Sequence, residues 1–219
     1  MNSQMNRRLP DAESFLRYCE TFKIKARSTL VSRGDAADSL FLLLDGSISV
    51  VVDDDDHDSE QQMVVSYLNA GDFLGEMGLF GETERTATLI ARSDCEIAAI
   101  SYERFQQVRS QFPEIVFALM TQIGLRLRET TQRLADLTFI DVSGRIRRAL
   151  FSLSGQPDAM THPDGIQIRV TRQELGKLVG CSREMAGRVL KALEEEGIVS
   201  VSGKTIVIQS QRQDDKPAA

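Results

Sequence analysis

The chain has 219 residues, of which 42% are hydrophobic, and a formal net charge of −6. This length suits one large or two modest domains, and the apolar content is ample for buried cores. There is no uncharged apolar run of about eighteen residues, and residues 1–8 lack an apolar stretch, so we expect no membrane span, no signal peptide and a cytoplasmic location. Cys19, Cys95 and Cys181 form no C-x-x-C pair, which favours reduced, buried thiols over a disulfide framework or a metal site.

The charge is distributed unevenly along the chain. Residues 1–140 hold 14 Lys and Arg against 22 Asp and Glu, whereas residues 141–210 hold 10 against 8. A nucleic-acid partner would therefore be bound by a local basic face of the second half, while the acidic first half suppresses non-specific attachment.

Short β-type runs fill the chain between residues 23 and 101. They cover residues 40–44, 48–52, 63–68, 88–91 and 96–100, and turn signals rich in Gly, Asp and Asn separate them. This pattern predicts an antiparallel all-β roll within a first domain of residues 1–112. The acidic run of residues 53–58, which contains His57, is interpreted as a solvated hairpin tip and not as a cation site.

A glycine-rich segment at residues 75–81, followed by Arg85 and Thr86, is the predicted ligand-binding site of the first domain. Its glycines allow backbone amides to converge on an anion, and Arg85 with the Thr86 hydroxyl can bind a phosphate. Glu76 adds an acceptor whose usual donor is a ribose hydroxyl. Because one Arg and one Glu do not balance a triphosphate, we expect a nucleotide with few negative charges. The alternative is a glycine-rich turn with a surface Glu–Arg pair.

Residues 113–138 form the predicted connecting helix. Apolar residues recur there at alternating spacings of four and three, with Thr130 as the only polar member; the series is Val116, Met120, Ile123, Leu127, Thr130, Leu134 and Leu137. This heptad pattern predicts a parallel homodimer. Thr130, with Thr131 beside it, indicates that a polar group meets the two helices, although a tolerated Thr that sets the register remains the alternative.

Residues 171–193 have the pattern of two short helices joined at Gly180. Thr171 with Glu174 forms a predicted capping box, and Ser182 caps the second helix. Residues 198–208 then alternate as a β-hairpin does. Together they predict a winged helix-turn-helix, although an ordinary two-helix packing unit is the alternative.

The second of these helices has an apolar side and a charged side. We expect Met185, Val189 and Leu193 to pack inward. The charged side holds Arg183, Glu184, Gly187, Arg188 and Lys191. Arg and Glu can read G·C base edges in a major groove, while Lys191 is better suited to a phosphate.

From about Phe15 to Ile208 the chain resembles the cyclic AMP receptor protein branch of the catabolite-activator and fumarate-nitrate regulator (CRP/FNR) family. Residues 75–80 with 84–87 resemble the family's phosphate-binding cassette, residues 139–146 its hinge and first DNA-domain helix, and residues 156–165 its polymerase-contacting loop. The resemblance implies an α+β fold: a jelly-roll cyclic-nucleotide-binding domain, a dimerisation helix with hinge at 113–138, a winged helix-turn-helix domain at 139–210 and a disordered tail at 211–219.

The resemblance also implies residue roles. Cyclic AMP, as an allosteric ligand, would be bound by Gly75, Glu76, Met77, Arg85, Thr86 and Thr130, and by Thr131 of the second subunit. Palindromic double-stranded DNA would be contacted by Arg172, Arg183, Glu184, Arg188 and Lys191. The RNA polymerase α subunit would meet Thr161, His162 and Gly165, and Arg104 retains a basic group near a second polymerase contact, where Glu20 and Phe22 replace the histidines of enteric relatives.

These features predict a cyclic AMP-dependent regulator that activates or represses transcription. An enzyme is disfavoured because neither histidine, His57 or His162, lies in a recognisable catalytic or metal-binding arrangement. A regulator that responds to cyclic di-GMP is one alternative, although that branch carries a Glu at the position of Thr86. A ligand-independent regulator with a vestigial pocket is the other.

Overall fold

The structure, a computed structural model, describes residues 12–53 and 62–209. The chain divides into two compact units, residues 1–132 and 133–219. Residues 54–58 of the acidic run, with His57, and the predicted tail at 211–219 lie outside the described residues.

In the described residues of the first unit there are eight strands and the start of a long helix. Its elements are α1 (Ala12–Leu16), β1 (Glu20–Ile24), β2 (Thr29–Val31), β3 (Ser39–Asp45), β4 (Ser47–Asp53), β5 (Gln62–Asn69), β6 (Phe73–Leu74), a 3-10 turn (Glu76–Phe80), β7 (Thr88–Ala91), β8 (Cys95–Ser101), α2 (Tyr102–Val108), a second 3-10 turn (Arg109–Gln111) and α3 (Pro113–Phe139). The five predicted strands are confirmed as β3, β4, β5, β7 and β8. The short strands β1, β2 and β6 were not predicted.

The strands form two antiparallel sheets, in the orders β1-β8-β3-β6 and β2-β7-β4-β5. This confirms the antiparallel β-roll. Strand β3 is buried on both faces, because Leu40 and Leu42 pack into one core cluster while Phe41 and Leu43 pack into the other. Burial on both faces explains why β3 is a continuous apolar run and does not alternate.

Helix α3 begins against the first core cluster. Ile115 and Leu119 are buried there, and Ile123 is half-buried against the same cluster. Further along the predicted seam, Leu127 and Leu134 are 67% and 65% exposed. The seam therefore remains an uncovered apolar stripe in the single chain, and the homodimer stays a prediction.

Within the described residues, no helix is long and apolar enough to cross a bilayer.

Up to residue 209, where the described part of the chain ends, the second unit contains the end of α3, three further helices and one sheet. The additional elements are α4 (Val142–Ser154), β9 (Met160–His162), β10 (Gly165–Arg169), α5 (Arg172–Val179), α6 (Arg183–Glu195), β11 (Val199–Ser202) and β12 (Thr205–Gln209). The strands form an antiparallel sheet in the order β11-β12-β10-β9. Helices α5 and α6 followed by the β11–β12 hairpin confirm the predicted winged helix-turn-helix.

Local sequence signals set the ends of these helices. The capping box at α5 is present, since the Thr171 hydroxyl accepts from the Glu174 amide at 3.0 Å and the Glu174 carboxylate accepts from the Thr171 amide at 2.7 Å. Gly180 ends α5 in a left-handed conformation with φ of 69°. Ser182 caps α6 by accepting from the Met185 amide. All three predictions of helix ends are therefore confirmed.

Candidate ligand cavity and nucleic-acid interface

The first unit encloses a cavity of about 180 Å³ between the β-roll, the 3-10 turn and helix α3. Six of the seven residues predicted to bind the ligand line it: Gly75, Glu76, Met77, Arg85, Thr86 and Thr130. Thr131 is exposed and is not among the lining residues; the resemblance assigns it to the ligand of the second subunit. The fold thus places six of the residues predicted from the sequence around one cavity.

Arg85 is the central cation of this cavity. Its side chain is 5% exposed, and Nη1 donates to the Ser39 carbonyl at 2.9 Å and to the Tyr102 hydroxyl at 2.9 Å. Nη2 lies 3.5 Å from the Asp38 carboxylate. Arg85 Nε is buried and has no hydrogen-bond acceptor among the described residues. A buried guanidinium with an unused donor is costly unless an acceptor completes it, so Arg85 fits an anionic ligand.

The glycine-rich turn is shaped by close contacts. Gly75 adopts φ of 73°, and a Cβ atom there would overlap Arg85 Nη1. A Cβ atom at Gly78 would overlap the Tyr102 ring. Both positions therefore require glycine: Gly75 for its left-handed backbone and both for the close approach of a larger side chain.

Tyr102 connects this turn to Arg85, although no local sequence pattern points to it. Its hydroxyl donates to the Gly75 carbonyl at 2.5 Å while it accepts from Arg85 Nη1. Burial raises the pKa of Tyr102, and the charge of Arg85 opposes that rise. Tyr102 lies 27 residues from Gly75, so only the folding of β8 and α2 brings the two together.

Glu76 already has a cationic partner in this structure. Its Oε1 lies 3.1 Å from Arg126 Nη1, and the two side chains are only 15% and 22% exposed. We expected a ribose hydroxyl to be its donor, and Arg126 already pairs with one of the two carboxylate oxygens, Oε1. Arg126 was missed, although it lies four residues before Thr130 and so shares its face of the helix. That spacing was the available signal.

The two threonines of α3 hydrogen bond within their own helix. The Thr130 hydroxyl donates to the Arg126 carbonyl at 2.8 Å and the Thr131 hydroxyl donates to the Leu127 carbonyl at 2.9 Å. Each hydroxyl oxygen keeps lone pairs that can accept from a ligand.

The second unit presents a shallow concave surface around α6. It is lined by all five predicted DNA-contacting residues and by the glycine predicted to lie among them: Arg172, Arg183, Glu184, Gly187, Arg188 and Lys191. Four of them are charged side chains of α6, namely Arg183, Glu184, Arg188 and Lys191, and all four are exposed, as predicted. Arg172 of α5 lies across Gly187, because a Cβ atom at Gly187 would stand 3.5 Å from Arg172 Cδ. The Arg172 stem therefore lies beside Gly187, at ordinary van der Waals distance from the position of a Cβ atom.

The buried face of α6 differs from the expected one. The buried residues are Ala186, Leu190 and Leu193, whereas Met185 and Val189 are only half-buried. The expected face used spacings of four and four, but 3.6 residues per turn favours the observed spacings of four and three. The prediction for Leu193 was right, and the predictions for Met185 and Val189 as core residues were wrong.

The residues expected to meet RNA polymerase lie on regular elements. Thr161 and His162 belong to β9 and Gly165 opens β10, with His162 paired opposite Gly165. The predicted loop is thus the tip of an antiparallel hairpin. Arg104 lies on α2 in the other unit, where it donates to the Gln107 carboxamide at 3.0 Å and its guanidinium stands 5.2 Å from the centre of the Tyr18 ring.

The three cysteines are free thiols; Cys95 is buried and Cys19 and Cys181 are half-buried. Within the described residues, no group of His, Cys, Asp and Glu is arranged to hold a metal ion.

Comparison with known proteins gives consistent matches for both units. Residues 21–112 match the family model of the cyclic nucleotide-binding domain, and residues 168–199 match that of the crp family of bacterial regulatory proteins. The cAMP-activated global transcriptional regulator Vfr of Pseudomonas aeruginosa is 48% identical over 205 residues, which cover 92% of this chain and 94% of the relative. The cAMP-activated global transcriptional regulator CRP of Salmonella typhimurium is 46% identical over 204 residues, 93% of this chain and 96% of the relative.

A solved structure also resembles this fold closely. It is the c-di-GMP-responsive global regulator CLP of Xanthomonas campestris, with a TM-score of 0.84 and 40% sequence identity. The similarity covers 95% of this chain and 100% of that chain.

A β-roll that matches the cyclic nucleotide-binding domain, followed by a winged helix-turn-helix, defines a transcription regulator with a ligand-binding domain. The chain belongs to the crp family of bacterial regulatory proteins, which confirms the resemblance seen in its sequence. It contains a cyclic nucleotide-binding domain and is a DNA-binding regulator of transcription, not an enzyme.

Proposed function

We propose that this protein is a cyclic AMP-dependent transcription regulator that binds palindromic DNA as a homodimer. The observation that carries the proposal is the Arg85 guanidinium, which is buried in the cavity with an unused Nε donor. A cyclic phosphate supplies the acceptor that this donor lacks, and the adjacent Thr86 hydroxyl can add a second hydrogen bond. Two curated relatives that are named as cAMP-activated support this choice of nucleotide.

The charge balance of the cavity favours a monoanion. Two arginines, Arg85 and Arg126, line it together with three glutamates, Glu76, Glu84 and Glu129. Arg126 is paired with Glu76 and Arg85 lies 3.5 Å from Asp38, but Arg85 also has a buried Nε without an acceptor among the described residues. A ligand with several negative charges would meet net repulsion here, because one cation cannot balance it.

We assign a protein partner to the phosphate, the ribose and the adenine of cyclic AMP. The phosphate binds Arg85 and Thr86, the backbone of Gly75 and Met77 lies near it, and the ribose hydroxyl donates to Glu76. The adenine amino group donates to Thr130. Thr131 of the second subunit contacts the same adenine, so the nucleotide bridges the two copies of α3.

The exposed apolar stripe of α3 supports the homodimer. Met120, Leu127 and Leu134 recur at the predicted seam positions and are 62%, 67% and 65% exposed. Exposed apolar residues at heptad spacing are stabilised by a second helix. The two copies of α6, related by a two-fold axis, then contact DNA half-sites about one helical turn, or 34 Å, apart.

The reading helix is α6. Arg183, Glu184 and Arg188 contact base edges, while Arg172 and Lys191 contact phosphates. Because α3 passes from the first unit into the second, the ligand changes the DNA affinity by favouring one arrangement of the dimer. At bound promoters, Thr161, His162 and Gly165 on the β9–β10 hairpin contact the RNA polymerase α subunit, and Arg104 lies near a second contact.

Cyclic di-GMP is the second candidate, and the similarity to CLP favours it. It carries two phosphates, whereas Arg85 is the cation with a donor free to bind one. The Thr86 side chain is neutral, so unlike a Glu it does not repel a cyclic AMP phosphate. These two features favour cyclic AMP over cyclic di-GMP.

Calorimetric titration tests the proposal. Cyclic AMP and cyclic di-GMP are each titrated into the full chain, alone and with a TGTGA-type palindromic duplex present. We expect saturable binding of cyclic AMP that tightens with the duplex, because linkage requires the same factor in both directions. If cyclic di-GMP binds and cyclic AMP does not, the result supports the second candidate. Equal cyclic AMP affinities with and without the duplex would remove the allosteric part.

A further inference from the structure

Helix α3 is fastened to the segment that precedes Glu76 by two side chains one helical turn apart. Gln122 Oε1 accepts from the Phe73 amide at 2.8 Å, and Gln122 Nε2 donates to the Gly71 carbonyl at 2.9 Å. Arg126 Nη2 donates to the Phe73 carbonyl at 2.5 Å. We call Gln122 and Arg126 the α3 clamp.

The clamp satisfies backbone groups that are buried. Phe73 is 0% exposed, so its amide and carbonyl have no access to water. Both of these groups bond to the clamp, the amide to Gln122 and the carbonyl to Arg126. An unpaired buried backbone group costs about as much as a lost hydrogen bond, which makes this attachment specific.

The clamp also leads directly to the ribose-binding carboxylate of the proposed function. Arg126 spans Phe73 and Glu76, since its other terminal nitrogen lies 3.1 Å from Glu76 Oε1. Gln122 cannot reach a ligand through these contacts, because both of its polar atoms are engaged by Gly71 and Phe73. Its effect on Glu76 is therefore indirect, through the backbone of residues 71–74 and through Arg126.

We propose that Gln122 is a positioning residue for ribose recognition, holding the strand before Glu76 against α3 so that the Glu76 carboxylate faces the 2′-hydroxyl. This inference rests on the proposed function. It adds a specific expectation: the loss of Gln122 affects the ligand with a 2′-hydroxyl and leaves the 2′-deoxy ligand much less affected.

The test measures the affinities of cyclic AMP and 2′-deoxy cyclic AMP by calorimetry, for the full chain and its variants. Gln122→Met keeps the side-chain length and removes both hydrogen bonds. Gln122→Glu keeps an acceptor for the Phe73 amide but replaces the donor to Gly71 with a charged oxygen that the Gly71 carbonyl repels. Thr121→Ala is the matched control, because the Thr121 hydroxyl bonds only within the helix, to the Phe117 carbonyl at 2.9 Å.

We expect Gln122→Met to weaken the binding of cyclic AMP about three- to tenfold, which corresponds to the loss of about one hydrogen bond. The preference for cyclic AMP over the 2′-deoxy ligand should fall by the same factor. Gln122→Glu should act in the same direction, because an oxygen then faces the Gly71 carbonyl, and Thr121→Ala should leave the preference unchanged. In a Glu76→Gln background, Gln122→Met should alter cyclic AMP affinity less than twofold, because the carboxylate it positions is gone.

Equal losses for both ligands would show that Gln122 is merely structural and would overturn the inference. So would an unchanged preference, or full additivity with Glu76→Gln. Melting temperatures show whether each variant folds, and Gln122→Glu provides the comparison if Gln122→Met does not. If the unmodified chain binds neither nucleotide, the proposed function itself fails, which is a distinct result.

Discussion

The hydroxyl of Tyr102 bonds to the carbonyl of Gly75 and to the guanidinium of Arg85 at the same time. One side chain thereby fixes both the start of the glycine-rich turn and the cation of the cavity. Tyr102→Phe keeps the ring that packs on Gly78 and removes the hydroxyl. We expect it to weaken cyclic AMP about three- to tenfold, because Arg85 loses one of its acceptors and becomes less well placed.

Calorimetry measures this loss, and Tyr18→Phe is the matched control. The Tyr18 hydroxyl makes an exposed hydrogen bond of 3.4 Å to Gln111, away from the cavity. Nucleotide affinity should be unchanged in the control. An equal loss in both variants would contradict the role given to Tyr102.

The reading helix makes a prediction about sequence specificity. Arg183→Ala should cost roughly 1–3 kcal/mol at one G·C position of the half-site and relax the preference there, whereas Lys191→Ala should weaken all sequences alike. Gel-shift titrations over a panel of single base-pair variants of the palindrome separate the two patterns.

Lys23→Ala removes an exposed positive charge from the first unit and serves as the control. It should leave every affinity in the panel nearly unchanged. Uniform losses for both Arg183→Ala and Lys191→Ala would mean that Arg183 contacts the backbone and not a base.

The seam of α3 makes a prediction about oligomeric state. A lysine at Leu127 places two like charges at the centre of a parallel coiled coil, so Leu127→Lys should shift the protein to a monomer. Light scattering after size-exclusion chromatography reports the mass directly. Leu125→Lys changes a residue that is also exposed, at 45%, but lies outside the heptad series. If Leu125→Lys dissociates the protein and Leu127→Lys does not, the predicted register is wrong.

Burial raises the pKa of the Cys19 thiol from 9.0 to about 11. Since the folded chain holds this proton more tightly than the unfolded chain, the resulting stability is complete below pH 9.0 and is lost as the pH rises through about 11. We expect Cys19 to resist iodoacetamide at pH 8 in the folded protein and to react in urea, as mass spectrometry can show. Rapid labelling of Cys19 in the folded chain would contradict its burial.

Much of the fold is encoded in short-range patterns that the sequence displays openly. The capping box of Thr171 and Glu174, the cap at Ser182 and the turn at Gly180 each act within about four residues, so they were predicted correctly. The buried face of α6 was predicted less accurately, because it depends on tertiary packing. A shift of one residue along the helix turns a side chain by about 100°, and packing against its neighbours selected Ala186 and Leu190 as the core.

By itself, the sequence determined which chemical groups this protein has available: a cation and a hydroxyl for a phosphate, an apolar heptad stripe, and a charged helix face beside a hairpin. Only the tertiary structure decided how those groups are partnered. Arg126 neutralises Glu76 from 50 positions away, and Gln122 holds Phe73 from 49 positions away. Such pairings leave no local periodicity, because they arise when a helix packs against a strand and buried polar groups must find donors and acceptors wherever the fold supplies them.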